Sequence, residues 1–300
     1  MKYLVTPAPH KYSKLSVNDM YMYTAFALAV CFLYGVINYG YQAFFVLLPC
    51  LGTCVLLELI INSIQEKRFI LKDFSCLVSG LVLTCIMPIN MPWYLGIVAG
   101  AITVAAKYLF GGVGNNIFNP AALSRSLIAC LFAGFAFDLF GENPTVLQTI
   151  ISGDWANLNM DAALIGSVGG AIGTTCLAMI LVAAIVLLVF KVIHWEQLLF
   201  SVAGYVAIVW ILLGANAILP MLTSGSFLFV TVFMLSDPTT SPYLFNSRCI
   251  YALLFGALAA LMMANNILGE SAVFFALLVA NFLAPALDWV FSLTKKGVKV

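Results

Sequence analysis

Charge is what this 300-residue chain has least of: 8% of its residues are Asp, Glu, Lys or Arg, against about 25% in soluble domains. A water-soluble domain of this length cannot be coated by so few charges. Thirteen Lys and Arg against twelve Asp and Glu leave a net charge of +1, so there is no bulk field to attract a polyanion. Nucleic acid is thereby excluded as a partner. Histidine is equally scarce, and both His10 and His194 fall in polar stretches where solvation is expected. The eight cysteines, Cys31, Cys50, Cys54, Cys76, Cys85, Cys130, Cys176 and Cys249, show no C-x-x-C spacing and no nearby histidine. Zinc or iron–sulfur ligation is not expected, and Cys50 and Cys54, one helical turn apart, read as small packing residues. No Ser–His–Asp set, paired carboxylates or metal-ligand cluster can be assembled, so the sequence names no catalytic residue and gives hydrolysis no support.

What is abundant is apolar: 63% of the chain lies in the set AVILMFWYC, and the mean hydropathy is +1.08. Run after run approaches the roughly 20 apolar residues that cross a hydrocarbon core of about 30 Å. The fold expected is therefore an all-α integral membrane protein. Ten spans are read near 21–38, 42–62, 75–89, 92–110, 119–137, 163–190, 197–214, 217–235, 249–264 and 270–292. The third is short and ends at Pro88 and Pro92, which marks it as a broken helix. With no linker or low-complexity tract, the chain divides into an N-terminal segment (1–20), one polytopic domain (21–292) and a tail (293–300). The opening segment is polar and lysine-bearing before any long apolar run, unlike a cleaved signal peptide, so it is expected to stay attached.

Basic residues accumulate on the cytoplasmic side of membrane proteins. If residue 1 is inside, Lys67, Arg68, Lys72, Lys191, Arg248, Lys295, Lys296 and Lys299 are inside too, with Lys107 and Arg125 flanking the inner 110–119 loop. Both termini are then cytoplasmic. The longest outer loop, about 138–162, carries Asp138, Glu142, Asp154 and Asp161 and no cation. Within the spans, Glu58 and Asp288 are charges in a costly place, candidates for an ion path or for snorkelling to the interface. A faint echo between NPAALSR (119–125) and DPTTSPYLFNSR (237–248) suggests a duplicated unit, of the kind transport folds often contain.

Three segments carry most information. In LFGGVGNNIFNPAALSR (109–125), Gly111, Gly112 and Gly114 permit tight turns and close approach, Asn116 and Asn119 bring amides, and Pro120 suits a helix first turn capped by Asn119. It is either a well-capped connector or a cradle for a planar heterocycle such as an isoalloxazine. In MLSDPTTSPYLFNSR (234–248), Asp237 precedes Pro238 and Ser236, Thr239, Thr240 and Ser241 supply hydroxyls. This is a helix stop and restart, or the lining of a ligand or ion pocket. In LIGSVGGAIGTTCLAMIL (164–181), Gly166, Gly169, Gly170 and Gly173 give G-x-x-x-G spacings, read as helix packing.

GGVGNNIFNPA (111–121), SDPTTSP (236–242), TPAPH (6–10) and MPINMPW (87–93), which together run along nearly the whole chain, resemble the RnfD/NqrB family. Its members include the D subunit of the Rnf ion-translocating ferredoxin:NAD oxidoreductase and the B subunit of the sodium-translocating NADH:quinone reductase. The resemblance implies a subunit of a translocase in the cytoplasmic membrane, working in a six-subunit assembly with other membrane and iron–sulfur subunits while Na⁺ or H⁺ is moved. It implies an FMN joined through its phosphate to an outer threonine, and a second, non-covalent flavin such as riboflavin. The second site maps onto Gly111, Gly112, Gly114, Asn116, Phe118 and Asn119, with Asp237, Thr239 and Thr240 from the later motif.

One departure stands out. The family's flavin-bearing threonine lies in a Ser/Thr-Gly-Ala-Thr signature followed by Pro-Leu, whereas the matching outer loop here reads DLFGENPTVLQTI (138–150). Thr145 is the positional match, Thr149 the next, and loss of covalent attachment the third possibility. Two further readings compete with the redox one: a small-solute channel on a urea-transporter-like scaffold, and a purely structural anchor for redox partners.

Overall fold

A computed structural model describes residues 16–66, 74–109, 115–132, 145–153, 160–166, 168–224 and 226–296. Among these residues the protein is all-helical, with no strand beyond two isolated bridges, Pro88 to Ala171 and Thr145 to Gly169. The first half holds α1 (Val17–Tyr39), α2 (Gln42–Glu66), α3 (Ser75–Ile86), α4 (Trp93–Leu109) and α5 (Pro120–Leu131). Two short helices, α6 (Val146–Ile151) and α7 (Met160–Ile165), lead to α8 (Leu177–Val189) and α9 (Trp195–Leu213). Then come α10 (Ile218–Leu222), α11 (Ser226–Val230) with a π-helical turn at Thr231–Leu235, α12 (Phe245–Ala264) and α13 (Ala272–Lys296).

Five helices are long and apolar enough to cross a membrane, and a bent pair, Ala215–Leu222 with Ser226–Leu235, makes a sixth candidate. The chain is a multi-pass membrane protein. Four more apolar helices, α3, α4, α5 and α8, have 12 to 17 residues. At 1.5 Å per residue the 12-residue ones reach about 18 Å, short of the hydrocarbon thickness.

Local chemistry explains where helices start and stop. Ser16 opens α1 in a capping box: its side chain accepts from Asn18 N while Asp19 accepts from Ser16 N at 2.9 Å. Asn119 caps α5 and Pro120 fills the first position, as the sequence suggests. The third run does break, at Ile86, ahead of Pro88.

The 163–190 run is not one helix, contrary to the sequence reading. It ends at Ile165, turns through Gly166 at φ +90°, and resumes only at Leu177. Gly166 and Gly173 therefore do not sit on a G-x-x-x-G helix face. Gly173 lies where a Cβ would meet Cys85 side-chain atoms at 2.5 Å, so close approach is real but made by irregular backbone. That backbone is satisfied by two sources. Ile172 N donates to Met87 O and Gly173 N to Cys85 O, while Asn38 and Tyr39 of α1 donate to the carbonyls of Gly166 and Gly170. Each break thus covers the orphan groups of the other, which lipid could not do. The 217–235 run is likewise interrupted, between α10 and α11. Of the 119–137 run, the described helix ends at Leu131, and 133–137 lie outside the described residues.

The closest helix pair joins α9 to α12. A Cβ at Gly256 would fall 1.9 Å from Ser201 O and one at Gly204 2.4 Å from Leu253 O, so only glycine lets these backbones meet. Tyr205, Phe227 and Phe255 stack beside that contact, with Tyr205 and Phe227 rings 3.9 Å apart.

Candidate functional site

One end of the helical bundle encloses a cavity of 410 Å³, within the range of small-molecule sites. Its walls come from the beginnings of α1, α3 and α5, the ends of α4 and α8, the π-helical turn and the segment 236–239. Every one of these termini is at the face that the basic residues assign to the cytoplasm. Most of the lining is apolar, with Met20, Val78, Val82, Leu187, Val232 and Phe233 among it. Polar side chains interrupt it, among them Thr24, Lys107, Asn116, Asn119, Asp237 and Thr239.

The two motifs that the family resemblance assigned to one site meet on this wall. Asn119 Nδ2 donates to Asp237 Oδ2 at 3.4 Å, while its Oδ1 accepts from Ala122 N at 3.2 Å as the cap of α5. The other Asp237 oxygen accepts from Thr239 N at 3.0 Å and from Thr239 Oγ1 at 2.9 Å. Burial pushes the Asp237 carboxyl above the usual carboxylate range, and the two Thr239 hydrogen bonds hold it back. Thr240 is buried with no partner for its Oγ1, and Phe118 is half-buried next to the cap. Gly111, Gly112 and Gly114 lie outside the described residues.

Lys107 stands on the same wall, 3% exposed. Its Nζ lies 3.0 and 2.9 Å from the two carboxylate oxygens of Glu58, itself 3% exposed, and also donates to Ser75 Oγ. Glu58, an ion-path candidate, is thus paired and packed against the cavity rather than snorkelling. Asp288 has a different occupation: its oxygens accept from Tyr243 N at 3.0 Å and Leu244 N at 3.2 Å, tying α13 to the start of α12. His194, placed by the sequence in a solvated stretch, is exposed. It lies 3.8 Å from the buried Glu196, which Arg248 also reaches at 3.1 Å. Burial, then Arg248, pull the His194 pKa below its ordinary value, with Glu196 opposing them.

Thr145 and Thr149 do not line this cavity; they stand at the start of α6 and within it. Thr145 is 1% exposed and is the N-cap of α6 in a complete capping box with Gln148. Thr149 Oγ1 donates back to Thr145 O at 3.1 Å. The upstream part of that loop, 138–144, lies outside the described residues.

The family's sequence profile matches residues 4–297. The chain belongs to the NQR2, RnfD, RnfE family. Relatives of near-equal length agree. The D subunit of the ion-translocating oxidoreductase complex of Stutzerimonas stutzeri is 29% identical over 92% of this chain and 90% of its own. The D subunit of the proton-translocating ferredoxin:NAD(+) oxidoreductase complex of Clostridium ljungdahlii is 24% identical over 95% and 93%. The Na(+)-translocating counterpart from Acetobacterium woodii is 26% identical over 83% and 81%. These relatives are subunits of translocating oxidoreductase complexes, so this family member is similar to proteins that work beside partner subunits.

Sequence reading missed some of what the family's fold brings together. Lys107 was legible only as a charge flanking an inner loop, because its partner is 49 positions away. The buried cluster of Glu270, Ser226 and Arg125 was missed as a cluster, and Arg125, read as flanking the 110–119 loop, is instead buried beside Glu270. Glu270 sits in a plain GES turn, and its donor Ser226, 2.9 Å away, comes from another helix.

Proposed function

We propose that this chain is the flavin-carrying membrane subunit of an ion-translocating electron-transport complex, passing electrons between ferredoxin and NAD or a related pair. The observation that carries the reading is the Asn119–Asp237 contact on the cavity wall. Two amide- and hydroxyl-rich motifs, 118 residues apart, are spent on one small concave site. A planar heterocycle with an amide-like edge fits it: apolar side chains flank the ring faces, while Asn116, Asn119, Asp237 and Thr239 supply donors and acceptors for the edge. The unpartnered Thr240 Oγ1 close by in the chain agrees with a site built for a polar guest. An FMN or riboflavin bound there would supply the redox chemistry. The protein's residues bind, orient and exclude water.

In this reading the flavin lies on the cytoplasmic side of a domain in the cytoplasmic membrane, with ten crossings, both termini cytoplasmic, and the 119 and 237 loops as corresponding parts of a duplicated unit. The short helices α3, α4, α5 and α8, with the bent α10 and α11 pair, bring the five long helices to ten. Lys107 sits where charge would change on reduction, and Glu58 behind it is the better start for an ion path than Asp288, whose oxygens are held by backbone amides. Moving one charge against 100 mV costs about 2.3 kcal/mol, a modest share of a redox step. One relative is named for protons and another for Na⁺. Uptake into vesicles with and without a protonophore tells which ion this chain serves.

Flavin absorbance of the purified chain tests the proposal. Stoichiometric flavin that falls several-fold in Asn119→Asp, with the protein still folded, supports it. A colourless protein that conducts small solutes in liposomes would instead establish the channel reading, which the names of the relatives do not favour.

A further inference from the structure

The position that matches the family's flavin-bearing threonine is built for another task. Thr145 Oγ1 accepts from Gln148 N at 3.2 Å, and Thr145 N donates to Gln148 Oε1 at 2.9 Å, so hydroxyl and amide are both used to start α6. The residue pairs through its backbone with Gly169, and α6 packs on α10 and on the turn at Gly269–Ser271. From that turn the buried Glu270 carboxylate faces the Thr145 side chain and takes a hydrogen bond from Ser226 at 2.9 Å. Gln148, Gly169 and Glu270 therefore converge on Thr145, and Ser226 holds Glu270 from behind.

We infer that Thr145 is a structural lock and that this chain carries no flavin phosphoester there. Esterification would replace the hydroxyl hydrogen by phosphorus and turn the cap oxygen into a bridging ester oxygen, a weaker acceptor for Gln148 N. It would also force a phosphate into the enclosed space where the buried Glu270 side chain now meets the hydroxyl. A hydroxyl this enclosed offers a modifying enzyme no access in the folded protein. Thr149 is no substitute, since its hydroxyl is bonded within α6. The loss of the Ser/Thr-Gly-Ala-Thr signature at 142–145 and the enclosure of Thr145 are two separate observations that agree.

This inference bears on the same cofactor class as the proposed function but stands apart from the cavity. The test uses the full chain, produced in a host that also makes a relative bearing the Ser/Thr-Gly-Ala-Thr signature. That relative must give a fluorescent band on a denaturing gel, which shows the host competent for attachment. This chain is expected to give no band and an intact mass equal to that of the unmodified polypeptide, while acid precipitation releases whatever flavin it holds. Released flavin speaks to the cavity; a band speaks to Thr145. Thr145→Ala and Gln148→Ala should each lower the thermal midpoint by similar amounts, as two halves of one cap, whereas Thr145→Ser should stay near wild type. A fluorescent band that vanishes in Thr145→Ala would overturn the inference. So would Thr145→Ala and Gln148→Ala proteins as heat-stable as wild type, even in a preparation containing no flavin.

Discussion

Two regions of this membrane domain use polar side chains in opposite ways. Around the cavity, Asn119, Asp237, Thr239 and Lys107 are held by neighbours yet still line a 410 Å³ space. Around Thr145, the side chains of Gln148, Ser226 and Glu270 are turned onto it and onto one another and are buried or half-buried. The first arrangement leaves polar side chains facing a void; the second uses them on the protein itself. Polar density near a membrane therefore marks function only where it borders a void, and marks architecture where it does not.

The comparison can be broken most severely at Lys107. Lys107→Met strands Glu58 as an uncompensated buried charge and should destabilise by about 3–5 kcal/mol, seen as early thermal unfolding in detergent. Adding Glu58→Gln should recover most of that loss, and a double variant no better than the single one would mean that the pair is not the source. Next in size is Ser226→Ala in the Thr145 cluster. Removing the donor to Glu270 should cost about 1.5–3 kcal/mol without touching flavin content, and a loss of flavin would erase the division between the two regions. Asn119→Ala removes a cap worth about 1 kcal/mol and should empty the cavity as well. Asn119→Asp sharpens the case, since it keeps a capping oxygen but sets a second carboxylate against Asp237, so the guest should be lost with little change in stability.

The smallest expected effect is at His194. Its folded pKa lies below the unfolded value of about 6.5, so the unfolded chain binds the proton more readily. Stability is then whole above that pH and falls as pH drops through it toward the lower folded value. Thermal midpoints should decline modestly on acidification, and His194→Gln should lessen the decline.

Much of this could be read from the chain itself where the signal is local. Hydropathy located the long helices, and Asn119 with Pro120 announced the start of α5, because a cap is written within four residues. Hydropathy also misled at 163–190, since a glycine-rich apolar stretch looks the same whether it is helical or irregular. What settles the matter is whether distant residues such as Asn38, Tyr39, Cys85 and Met87 satisfy its backbone. The site was half legible for the same reason. Each motif could be recognised alone, but nothing in either stretch says that Asn119 touches Asp237, or that Lys107 reaches Glu58. Thr145 was found by position in a resemblance, while its enclosure depends on Glu270, more than a hundred residues later in the sequence.

The mutual bonding of the two interrupted spans sets an order for biogenesis. Until residues 172 and 173 have left the ribosome, the carbonyls of Met87 and Cys85 have no donor from that later stretch, and in hydrocarbon each such orphan costs several kcal/mol. The α3 hairpin must wait, sheltered by water or by the insertion machinery, for a stretch translated much later. Chains truncated just before and just after residue 173 and released from the ribosome should therefore differ, that hairpin being extractable in the first and firmly embedded in the second.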